Sequence, residues 1–222
     1  LKAQFGRFDS PKSKILKTHD LLIEFIPKLL ENYQWKKSMK WGEFDLNWGR
    51  PLKSILSIFN KKIINFKFHH LVSSNSTYVD KKFEDKKKIF TDFKIYEKYF
   101  RKQGIIIDQN KRGKLINREF SKILNKKKLT IEHNSRLLDE VVNLVDNPNI
   151  LLCNFDKKYL SIPKEILILT MQSHQKYFPT FNDKNEITNE FLIVANKKDQ
   201  KGLIKLGNER VVEARLNDAE FF

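Results

Sequence analysis

Apolar and polar residues alternate along this chain in several distinct rhythms. From 20 to 33, Leu22, Phe25, Ile26, Leu29 and Leu30 share a helical face, and Pro27 predicts a kink or a break there. Residues 52–59 and 63–68 read as two strands joined by a tight turn at Asn60-Lys61; in the second, Ile64, Phe66 and Phe68 alternate with Asn65 and Lys67. The stretch 73–77 is polar and reads as a loop. A helix is predicted over 83–103, because Phe90, Phe93, Tyr96, Glu97 and Phe100 recur at steps of three and four and Gly104 follows as a terminator.

Further on, Ile105 to Ile107 predict a short buried strand, and 110–128 a strongly basic helix with the stripe Ile116, Phe120, Ile123 and Leu124. Ser135 is expected to cap a helix through Leu138, Val141, Val142 and Val145 that stops at Asn147-Pro148. Residues 149–155 read as a buried strand, and Pro163 suits the first position of a helix over 164–173. Strands at 177–181 and 191–195 are expected to pair around the polar loop 182–185, and Asn208 to cap a last helix through Val212, Leu216, Ala219 and Phe222. Helices and strands are intermixed without strict alternation, which predicts an α+β fold with a mixed or antiparallel sheet flanked by helices.

Composition narrows the class. In 222 residues, 40% are hydrophobic and 32% charged, enough apolar material for a buried core. No stretch offers the ~20 apolar residues that span a bilayer. The start, Leu1-Lys2-Ala3-Gln4, has no apolar leader and no Met, so the chain is expected to begin inside a longer, cytoplasmic gene product. Cys153 is the only cysteine, in an apolar run, which excludes an intrachain disulfide and a thiolate zinc cluster. A net charge of +16 points to a polyanion, most simply nucleic acid. Lys far outnumbers Arg, however, and a chain rich in Lys, Asn, Ile and Phe together also reflects A/T-rich codons.

Motifs for chemistry are few. His19-Asp20 invites an HD-type metal reading, but His69, His70, His133 and His174 supply no convincing ligand spacing, so no metal site is expected. Seven dispersed glycines form neither a P-loop nor a dinucleotide fingerprint, and no nucleophile set emerges, so no catalytic residue is nominated. Two segments are denser in aromatic and basic groups than a core needs. They are Met39-Lys40-Trp41-Gly42, running on to Trp48-Gly49-Arg50-Pro51, and Met171-Gln172-Ser173-His174-Gln175-Lys176-Tyr177-Phe178-Pro179. Rings and cations interleaved in this way can stack bases and contact phosphates; alternatively, Tyr177 and Phe178 pack a sheet while His174 and Gln175 satisfy loop backbone.

The second segment, continued to Phe181, resembles a signature of bacterial glycyl-tRNA synthetase beta subunits. Gly207-Asn208-Glu209-Arg210-Val211-Val212-Glu213-Ala214-Arg215-Leu216-Asn217-Asp218-Ala219-Glu220-Phe221-Phe222 resembles another block of that family. Phe191 to Asn196, Leu137 to Val141, Asn147-Pro148, Leu160 to Glu165, Met39 to Gly42 and Arg50-Pro51 follow the family's order. Departures are Glu213, where the family usually has a basic residue, Trp48-Gly49 in place of a more aliphatic pair, and a loose match over 70–130.

The resemblance implies a non-catalytic part of a glycine-tRNA ligase that supports tRNA binding and subunit assembly. Catalysis, with ATP and Mg, would belong to an alpha subunit, in a heterotetramer of two alpha and two beta chains; this fragment itself would bind no cofactor. It implies a lead-in over 1–37, partly flexible, and a body over 38–206 similar to the editing-type domain of the phenylalanyl-tRNA synthetase beta chain. Residues 207–222 would start a helix leading into an HD-like domain beyond the chain's end. Trp41, Arg50, His174, Gln175, Lys176, Tyr177, Arg210 and Arg215 become candidate contacts to tRNA(Gly) or the alpha subunit. Two alternatives stand beside this reading: a hydrolytic editing domain, which glycine, the smallest amino acid, makes less necessary, and a free-standing basic RNA-binding module.

Overall fold

The computed structural model describes residues 17–79 and 86–221. The chain divides into two compact units, residues 1–96 and 97–222. The expected helix start at Phe83 and the final Phe222 lie outside the described residues.

In the first unit, α1 (Thr18–Glu31) runs through Pro27 without a break. Its Leu22, Ile23, Ile26 and Leu30 pack against a core of Leu46, Ile64, Phe66 and Phe68, and that apolar face holds the helix together across the missing N–H. The expected strand pair is divided into shorter pieces: β1 (Ile55–Leu56), β2 (Ile58–Phe59), β3 (Lys62–Ile63) and β4 (Lys67–Phe68). The turn falls where the sequence predicts it, with Asn60 and Lys61 both at positive φ, 47° and 64°, as a two-residue hairpin loop requires.

The polar stretch after His70 is not a loop. It forms β5 (Leu71–Ser74), between a parallel β1 and an antiparallel β4, and then β6 (Ser76–Tyr78). Buried Ser73 makes this possible, because its hydroxyl donates to the Ile64 carbonyl at 2.7 Å and accepts from the Phe66 N–H at 2.8 Å. The long helix predicted over 83–103 is also corrected. β7 (Lys87–Ile89) pairs with β6, fully buried Phe90 bonds through its N–H to the Asn75 carbonyl, and α2 (Phe93–Lys102) begins only afterwards.

In the second unit, residues 105–107 are half-buried but pair with no strand; Ile106 N–H bonds the Asp146 carbonyl instead. α3 (Gln109–Lys127) is capped by Asp108, whose carboxylate accepts from the N–H of Asn110 and Lys111 at 2.8 and 3.2 Å. α4 (Ser135–Leu144) is capped by Asn134, one residue ahead of the expected Ser135. β8 (Asn149–Asn154) leads to a 3-10 turn, and α5 (Lys164–Leu169) passes at Thr170–His174 into a π-helical turn. Pro163 sits one position before α5 rather than inside it. β9 (Phe178–Phe181) and β10 (Ile187–Ala195) form the expected hairpin, and β10 also pairs antiparallel with β8, giving the order β8-β10-β9.

α6 (Leu203–Phe221) starts five residues before Asn208. Asp199, whose carboxylate accepts from the N–H of Ile204 and Lys205, takes the capping role expected of Asn208.

β10 explains how this unit is layered. Side chains alternate across a strand, so Phe191 and Ile193 enter a core with Cys153, Met171, Tyr177 and the α6 residues Val212 and Leu216. Leu192 enters the opposite core with Phe178 and the buried stripes of α3 and α4. The sheet is therefore covered on both faces, and the fold is α+β as the sequence predicts. No helix of the described residues is long and apolar enough to cross a membrane.

Candidate functional site

The two segments singled out in the sequence lie in different units. In the first, Met39 and Trp48 exchange backbone hydrogen bonds of 2.9 and 3.1 Å, which joins the two halves of the aromatic segment. Trp48 packs edge-on against Trp35 at 5.0 Å, and a Cβ on Gly49 would approach the Trp35 ring to 2.7 Å. The Trp48-Gly49 pair is thus explained by packing, since only glycine lets the Trp35 ring lie this close. Trp41 is half-buried, edge-on to His70, which itself stacks on Phe44 at 3.6 Å. Arg50 is exposed. His19 is held in the fold through a ring nitrogen that donates to the Ile63 carbonyl at 3.0 Å, and no group of three or more metal-ligating side chains occurs among the described residues.

In the second unit the π-helical turn shapes the other segment. It buries Met171, exposes His174 and returns the chain so that Tyr177 N–H bonds the Met171 carbonyl at 3.0 Å. Lys176 absorbs the reversal at φ 60°. Its Nζ lies 2.6 Å from Glu140 Oε2 on α4, while Arg136 Nε lies 3.6 Å from the same carboxylate. Lys176, and after it Arg136, hold the Glu140 carboxyl below the usual range. Asn134 joins the cluster by donating to Gln172 at 3.0 Å while capping α4.

Asn134, Arg136, Leu137, Glu140, Gln172, Ser173 and Lys176 line a polar cavity of about 290 Å³. Of these, only Lys176 was nominated from sequence. Glu140 lies in the Leu137 to Val141 block and Gln172 inside the quoted segment, so both were in view, but nothing in their spacing revealed that a turn and a helix start converge.

Tyr177 is not available for stacking on a base. It is buried, its ring lies 5.2 Å from Phe191, and its hydroxyl donates to Asn208 on α6. Burial, with a contribution from Cys153, pushes its hydroxyl pKa up to about 12. Gln175 is half-buried beside it, whereas Arg210 and Arg215 are exposed on α6, with half-buried Glu213 between them. Cys153 belongs to the same core, and burial drives its thiol up to about 12.

Comparison with known proteins gives one consistent result. A family model described as glycyl-tRNA synthetase beta subunit matches residues 8–222. The chain is 37% identical over 220 residues to the glycine–tRNA ligase beta subunit of Rickettsia peacockii (strain Rustic), covering 99% of this chain and 33% of that protein. The corresponding proteins of Rickettsia africae (strain ESF-5) and Rickettsia akari (strain Hartford) are 37% and 35% identical over the same shares. The chain spans about a third of the length of these curated relatives.

Proposed function

The chain belongs to the glycyl-tRNA synthetase beta subunit family, and from that premise we propose that it is the supporting, non-catalytic part of a glycine-tRNA ligase. The observation that carries the reading is the family match along nearly the whole chain, at 37% identity to a named beta subunit. In this reading the protein works in the cytoplasm with an alpha subunit that activates glycine with ATP and Mg, in an assembly of two alpha and two beta chains, and helps hold tRNA(Gly) for charging. The hydrolytic and free-standing alternatives are not favoured.

The geometry supports a platform role. Arg210 and Arg215 are carried on α6, which Val212 and Leu216 fasten to the sheet, so the backbone beneath these cations has little entropy left to lose on binding a polyanion. Residues 38–206 make the body in this proposal, similar to the editing-type domain of the phenylalanyl-tRNA synthetase beta chain, and 207–222 lead toward a further domain. The antiparallel sheet with helices on both faces is compatible with that likeness. Arg50, His174, Lys176, Arg210 and Arg215 are the proposed contacts to tRNA or the alpha subunit; Trp41 and Gln175 are half-buried, and Tyr177 serves as scaffold.

A charging assay tests this. The alpha subunit with the full-length protein that carries this chain is expected to glycylate tRNA(Gly), and the alpha subunit alone is expected to fail. Equal charging without the beta chain would overturn the reading.

A further inference from the structure

We infer that the solvent face of α3 is an RNA-backbone contact strip, in which Lys114, Arg118, Lys122 and Lys126 meet successive phosphates. This rests on the tRNA-supporting role proposed above and assigns it to a surface that neither the sequence motifs nor the comparisons single out.

Geometry is the first ground. The four cations recur every four residues, so neighbours stand about 6 Å apart along the helix and the row covers about 18 Å. That step is of the same order as the separation of neighbouring phosphates on one strand. The buried row Ile116, Phe120 and Leu124 has the same spacing, offset by two residues, or about 200° of helical rotation. The cationic row therefore points almost directly away from the row that fastens α3 to the sheet, and all four side chains are exposed. Beside it runs a second exposed row, Asn117, Ser121 and Asn125, whose amides and hydroxyl suit phosphate oxygens and ribose hydroxyls.

Charge is the second ground, and it separates function from codon bias. Genome composition spreads Lys over every surface alike. α3 and α6 are each 19 residues long and belong to the same unit, yet α3 carries seven basic residues and one acidic one, whereas α6 carries three basic and four acidic. A uniform bias does not produce that contrast. The single acid on α3, Glu119, lies between two members of the row, 2.8 Å from Lys122 Nζ and 3.1 Å from Arg118 Nε. It holds both side chains along the helix surface. Lys114, the first of the row, also helps to hold the Asp108 carboxyl below its ordinary value, after the Lys111 and Asn110 N–H groups and the Lys111 charge.

The test uses the full-length protein assembled with its alpha subunit, and measures binding of tRNA(Gly) across a salt series. Lys114→Gln, Arg118→Gln, Lys122→Gln and Lys126→Gln together are expected to weaken binding roughly tenfold or more near physiological salt. The slope of log K against log salt should flatten by about 0.7–0.9 for each phosphate that is no longer neutralised. A control with the same charge loss at exposed Lys184, Lys197, Lys198 and Lys201 is expected to change the slope far less. Glu119→Gln alone removes the competing carboxylate and is expected to tighten binding a few-fold.

An unchanged slope in the fourfold variant overturns the strip, as does an equal loss in the control or unaltered or weaker binding in Glu119→Gln. Loss of alpha-subunit association with tRNA binding intact overturns it in favour of a protein interface. If the parent assembly binds no tRNA at all, the proposed function falls as well.

Discussion

Lys176 and Glu140, 36 positions apart in sequence, meet at 2.6 Å where the π-helical turn faces α4. The ion pair joins the most distinctive motif of the chain to the middle of α4, inside the Leu137 to Val141 block. Lys176 also holds a left-handed backbone, φ 60°, which an L side chain adopts at a cost. Its side chain and its backbone therefore pull stability in opposite directions, and the two contributions can be separated.

Lys176→Ala removes the ion pair and keeps the strain, whereas Lys176→Gly removes the pair and relieves it. The glycine variant is expected to be more stable than the alanine variant by about 1 kcal/mol. Urea unfolding of both checks this; equal midpoints would mean that the turn relaxes without glycine.

Tyr177→Phe deletes the hydroxyl that donates to Asn208 and leaves the amide oxygen half-buried without its donor. A loss of about 1–2 kcal/mol is expected. Because Asn208 is itself tied to the Ile204 carbonyl at 2.6 Å, the loss should appear as earlier exchange of α6 amides, read by hydrogen exchange.

Acid should loosen the caps of α3 and α6 before it touches either core. Asp108 is held below its ordinary value by the Lys111 N–H and, to a smaller extent, that of Asn110; Asp199 is held down chiefly by the Lys205 N–H. A depressed carboxyl contributes stability that is fully present above its unfolded pKa and is lost as pH falls through its folded one. The thermal midpoint is therefore expected to fall with pH from just above the ordinary carboxyl values downward, less steeply in Asp108→Asn and Asp199→Asn. A parallel fall in all three proteins would assign the acid loss elsewhere.

The Cys153 thiol, at about 12 and buried, is almost wholly protonated near neutrality. Alkylation of the native protein with iodoacetamide at pH 8 is expected to be slower than that of the urea-unfolded chain by at least tenfold. Rapid labelling of the native protein would show that its core opens readily.

Elements whose signal is local were readable from sequence. The Asn60-Lys61 turn needs two residues that tolerate positive φ, the α3 stripe recurs at steps of three and four from Ile116 to Leu124, and the pairing of β9 with β10 follows from apolar runs around a polar loop. The errors share a different character. The aromatic periodicity of α2 extends back by chance through Phe90, which is buried in the first unit instead of continuing the helix. Ser73 looked like loop because its polarity is satisfied by partners seven and nine positions away.

The sequence alone determined the class of fold, the family and the excess of positive charge, since each depends on composition or on residues close together along the chain. Tertiary structure decided which groups meet. It drew Tyr177 into the core, set Lys176 against Glu140, and turned the cationic row of α3 outward. Those outcomes depend on which faces of helix and sheet are buried together, and burial is a property of the packed chain rather than of any one segment.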